Sequence, residues 1–107
     1  MTKRDHQVLS RRLIILLAHL LKCQFQPSHI SNNWRGTIGE QRKRIHKLML
    51  RTPSLANFID TYADAAYRRA VRLAAAETQL PTSTFPPALP YTQHELLDHT
   101  FIPGGQP

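Results

Sequence analysis

Leu9, Leu13, Leu16, Leu20 and Cys23 repeat at 4-3-4-3 spacing near the start of the chain, and this pattern restricts the fold more than any other feature. Such spacing puts all five side chains on one side of an α-helix. Ile14, Leu17 and Leu21 widen the stripe to roughly half the circumference, so the helix needs more than one neighbour to cover it. The element is expected over about residues 2–25. Pro27 disfavours helix at Gln26 and closes it.

Two further helices follow by the same reasoning. Ser31, Asn32 and Asn33 are each able to cap a helix over about 33–50, in which Trp34, Ile38, Gln41, Ile45 and Leu48 again repeat at 4-3-4-3 spacing, with Met49 beside them. Gly36 and Gly39 each cost about 1 kcal/mol relative to alanine, which points to frayed first turns or to another backbone passing close by. Thr52-Pro53 is a start signal, a capping hydroxyl followed by proline, for a helix over about 53–79. Leu55, Ile59, Tyr62, Ala66 and Leu73 line one of its faces, its many alanines permit close packing, and Arg69 near that seam reaches solvent on a long stem.

From Pro81 onward the character changes. Six of the eight prolines and no basic residue fall in 81–107, which precludes a long helix there. Thr92-Gln93-His94-Glu95 has the pattern of a capping box before Leu96-Leu97, so one short helix is expected over about 93–98. Phe85, Leu89, Tyr91, Leu96 and Phe101 recur often enough to pack this segment onto the bundle, with disorder only after Pro103. The expected fold is therefore all-α: one domain over 1–107, an antiparallel bundle of three main helices with a proline-rich C-terminal wrap. The scarcity of glycine and of alternating β-branched runs argues against sheet.

Charge is distributed unevenly. Residues 1–51 hold eleven of the fourteen Lys and Arg against Asp5 and Glu40, whereas 52–107 hold three against five acids, for a net charge of +7. Six of the basic residues fall within 34–51. Trp34, Arg35, Arg42, Lys43, Arg44 and Lys47 are thus the candidate contacts for an acidic protein partner or, alternatively, for nucleic acid. The absence of a helix-turn-helix signature and of aromatic residues beyond Trp34 favours the protein partner. Leu13 to Leu21 after Arg11-Arg12 has the look of a signal peptide. The run is too short to span a bilayer and has no small-residue cleavage site, so neither membrane insertion nor secretion is expected. The single cysteine, Cys23, suits a reducing cytoplasm.

Catalytic and metal chemistry find little footing. No nucleophile elbow, phosphate loop, paired carboxylates or HExxH occurs. His19 and Cys23 stand at i, i+4, but two ligands do not make a metal site. A thiol in the apolar seam behaves as a small hydrophobe. His94 and His99 lie on different faces, and the polyproline spacing in Pro86-Pro87-Ala88-Leu89-Pro90 serves better as packing than as a ligand. No catalytic residue, metal or cofactor is implied.

The order of motifs LLAHLLKCQFQP, NNWRGTIGEQRKRIHKLM, TPSLANF, Tyr67-x-x-Ala70, AAAETQLP, STFP and PYTQHELLDHTFIP resembles domain of unknown function family 29, a bacterial family. The resemblance runs from about Leu9 to Pro103 and implies an α-helical fold without an assigned activity. Val71 stands where the family typically has arginine. The family usually also carries a preceding segment with an acidic amphipathic helix. Without that helix, the face formed by Leu9, Leu13, Leu16, Leu17 and Leu20 is expected to associate with a second copy or with another protein. The function expected is a non-enzymatic interaction or regulatory module.

Overall fold

The computed structural model describes residues 2–104. Three long helices make up the body: α1 (Lys3–Phe25), α2 (Asn32–Arg51) and α3 (Ile59–Thr78). A single-turn helix, α4 (Gln93–Leu97), lies in the tail. No strand occurs among the described residues, and the all-α bundle expected from the periodicity is the fold observed.

The termini form where local chemistry provides for them. Thr2 caps α1 in a reciprocal box with Asp5, and Ser31 Oγ accepts from the Trp34 amide at 3.1 Å to open α2. A side-chain cap of this kind contributes about 1 kcal/mol. Thr92 and Glu95 form the expected capping box of α4. The Thr52-Pro53 signal leads to something else. The Thr52 side chain makes no capping bond, and Pro53–Phe58 winds as a 3₁₀ helix before α3 begins at Ile59. In a three-residue turn, positions i and i+3 eclipse. Leu55 thereby enters the core, and Phe58 stacks on Tyr62 with ring centroids 5.9 Å apart. Tertiary packing of this pair outweighs the α-helical start.

Ion pairs and ring contacts fix the helix directions. Near one end of the bundle, Asp5 of α1 meets Arg51 of α2 at 3.8 Å, and His6 of α1 hydrogen-bonds the Tyr62 hydroxyl of α3. Near the other, Lys22 of α1 bonds Glu77 of α3 at 2.6 Å and sits 4.7 Å from the Trp34 ring centroid of α2. α1 and α3 are therefore parallel, with α2 antiparallel to both. α1 is the central helix and packs against both of the others. Leu9, Leu13, Leu16, Leu17, Leu20, Leu21 and Cys23 are fully buried, as a stripe that wide requires. On α3 the buried line is Ile59, Ala63, Ala66, Ala70 and Ala74, with Tyr62 and Leu73 half-buried at its edges. The small side chains face α1, which lets the two helices come close.

The tail runs from the end of α3 across the C-terminal end of α1 to the middle of α2. Phe85 packs edge-on against Phe25 at 5.2 Å, the Tyr91 hydroxyl donates to Gln24 Oε1 at 2.7 Å, and Leu96 is fully buried. Gly104, at φ 77°, lies so close to Cys23 that a Cβ there would come 2.5 Å from the Cys23 carbonyl oxygen. The disorder expected after Pro103 falls, beyond Gly104, in residues 105–107, which lie outside the described residues.

Candidate interaction surface on the second helix

α2 separates its residues by environment. Ile38, Gln41, Arg42, Ile45 and Leu48 are buried, and Trp34 is half-buried beneath the Lys22 ammonium. Arg35, Lys43, Arg44, Lys47 and Arg51 face solvent. Of the six residues expected to contact a partner, Arg42 is removed from that surface. It is 0% exposed, whereas the sequence assigns it to the basic stripe.

The reason lies in α4. A helix leaves its last four carbonyls without partners inside it. Here the Asp98 amide donates to the His94 carbonyl at 2.9 Å. Arg42 Nη2 donates to Glu95 O at 3.0 Å, and Arg42 Nε to Leu96 O at 2.8 Å. His46 Nε2 completes the set at Leu97 O, 3.0 Å away. Residues 42 and 46, one turn apart on α2, supply three of the four donors that the end of α4 needs. Burial lowers the Arg42 guanidinium below its usual pKa, and Asp98 partly offsets this. Arg42 Nη1 and Gln41 Oε1 are buried without a hydrogen-bond partner among the described residues.

The exposed cations differ among themselves. Arg44 pairs with Glu40 one turn back at 3.3 Å, and Arg51 is held by Asp5. Arg35, Lys43 and Lys47 take part in no ion pair among the described residues. Beside Lys47 and Arg51 projects Leu50, 82% exposed. It borders a shallow depression of about 360 Å3 formed with His46, Met49, Pro53 and Ala56. The charge pattern gave no hint of this apolar tip. A Cβ at Gly36 or Gly39 would meet no atom within 4 Å from outside its own helical backbone, so no other described segment approaches there.

The second expected surface is not a surface. Leu9, Leu13, Leu16, Leu17 and Leu20 are all 0% exposed. α2, α3 and the wrap cover the face, so association through these leucines has no exposed area to use.

The remaining candidates take structural roles. His19 Nδ1 hydrogen-bonds the Ile15 carbonyl at 2.9 Å, and burial pulls its pKa down. Burial pushes the Cys23 thiol up, away from the reactive thiolate. The Pro86 carbonyl accepts from the Tyr67 hydroxyl at 2.7 Å, which ties the proline tract to α3. Among the described residues, no group of three or more His, Cys, Asp or Glu side chains could hold a metal ion. No described helix is long and apolar enough to cross a membrane.

These features define a class: an all-α bundle with a central apolar helix, a side-chain-capped C-terminal strap and a basic outer face on α2. The chain belongs to the family described as domain of unknown function DUF29, whose model matches residues 1–102. No curated protein and no solved structure matches it.

Proposed function

We propose that this chain is a non-enzymatic interaction module that docks an acidic protein partner onto the outer face of α2. The observation that carries this reading is Leu50, 82% exposed next to the apolar depression and flanked by Lys47 and Arg51. Protein interfaces characteristically set a large apolar anchor at the centre of a polar rim. A phosphate backbone gains nothing from a leucine, whereas an amphipathic acidic helix matches both parts of the patch. Lys43 and Lys47, which form no ion pair among the described residues, would steer the approach of such a partner and set its register. The lone buried thiol of Cys23 fits a reducing, cytoplasmic setting.

The test compares two probes on the full chain: an acidic amphipathic helical peptide and a short DNA duplex, each titrated at several salt concentrations. The reading expects peptide binding that falls at least about tenfold with Leu50→Ala, the scale of losing one interface anchor. Duplex binding with a steep salt slope and indifference to Leu50→Ala would replace it with nucleic-acid recognition. Failure of both probes to bind α2 would end it.

A further inference from the structure

A second basic site lies away from α2, in the groove between α1 and α3. It has a volume of about 560 Å3, and Lys3, Gln7, Ser10, Arg11, Ile14 and Arg69 form most of its lining. No Asp or Glu lines it. A smaller depression of about 240 Å3 continues it along the helix crossing, sharing Ser10, Ile14 and Arg69 and adding Ala65 and Ala66.

Like most cations of this chain, those of the groove, Lys3, Arg11 and Arg69, meet no carboxylate among the described residues. Lys22, Arg44 and Arg51 each meet one, at 2.6, 3.3 and 3.8 Å. Asp5, in the same helical turn as Lys3, binds Arg51 of α2. Three like charges gathered in one concavity repel one another, and a bound anion relieves that repulsion. Gln7 and Ser10 add neutral donors. At the edge, the His6 bond to Tyr62 ties the two walls together, so the cleft is formed before any ligand arrives.

We propose that this groove binds a phosphorylated small molecule. Lys3, Arg11 and Arg69 take the phosphate, and the apolar floor of Ile14, Ala65 and Ala66 takes the organic part. Arginine offers a planar fork to phosphate oxygens and lysine a point charge, the combination such groups need. The size falls in the range of ordinary small-molecule sites. The small side chains at 65 and 66 leave room for a ring to lie against the helix.

The experiment titrates the full nitrogen-labelled chain with sodium pyrophosphate and, separately, with adenosine diphosphate, at constant ionic strength, following amide shifts. Expected are saturable shifts confined to residues 3–14 and 65–69, with the nucleotide binding more tightly than pyrophosphate. Arg11→Gln combined with Arg69→Gln weakens both by at least about tenfold, the scale of losing charge-assisted hydrogen bonds, at an unchanged melting temperature. Lys43→Gln combined with Lys47→Gln, on α2, leaves both affinities as they were. Shifts that never saturate, or an equal loss from the α2 pair, would overturn the site. Equal affinity for the two probes would overturn the organic-phosphate assignment.

Discussion

Arg42 and Arg44 lie two residues apart on α2, yet one is sealed in the protein and the other stands in water. Arg42 gives two hydrogen bonds to the end of α4, while Arg44 makes an exposed i, i+4 pair with Glu40. The same side chain therefore does two jobs on one helix, and rotation about the axis decides which. Towards the seam a guanidinium loses its water, and the two bonds to α4 offset part of that cost although Nη1 has no partner among the described residues. Outward, an ion pair adds only about 0.3–0.5 kcal/mol and leaves the charge open to a partner.

That contrast can be broken or sharpened in order of effect. Arg42→Met should cost about 3 kcal/mol in chemical denaturation, because it strands the buried Leu96 carbonyl and the part-buried Glu95 carbonyl. Amide exchange in 93–98 should rise with it, and a loss below about 1 kcal/mol would mean that α4 does not depend on the arginine. His46→Ala removes the third cap and the contact between the His46 and His99 rings, which lie 4.8 Å apart. It should cost about 1 kcal/mol, read as a shift in denaturation midpoint. On the outer face the sign reverses. Gly36→Ala should stabilise the chain by about 0.8 kcal/mol, since the Cβ enters open space. If the alanine also weakens peptide binding, the glycine serves partner approach. The smallest effect belongs to Lys43→Gln with Lys47→Gln. Stability should move by less than about 0.5 kcal/mol, while the rate of association with the acidic peptide falls.

Much of the inner face could be read in advance. Ile38, Gln41, Ile45 and Leu48 are buried where their spacing puts them. The burial of Arg42 also left a trace, since 38, 42, 45 and 49 form a second line at 4-3-4 spacing along the edge of the seam. That signal was outweighed by the neighbouring Lys43 and Arg44, which make residue 42 look like one member of a charge run. The Leu50 tip and the Lys3–Arg11–Arg69 groove left less. The groove joins residues from two helices far apart in sequence, and no local pattern announces which cations will converge. The Lys22–Glu77 pair is hidden for the same reason, its partners being 55 positions apart.

By itself the sequence determined the elements: three long helices, the capping box at Thr92, the proline-rich wrap and the charge asymmetry. Those follow from interactions within a few residues, where period and capping chemistry leave little choice. The tertiary structure alone decided which charges are free. It closed the leucine face of α1 within the chain, spent Arg42 on the carbonyls of α4, and wound Pro53–Phe58 as a 3₁₀ helix to seat Leu55. Burial and pairing depend on what arrives from elsewhere in the chain, so they are fixed only when the helices meet.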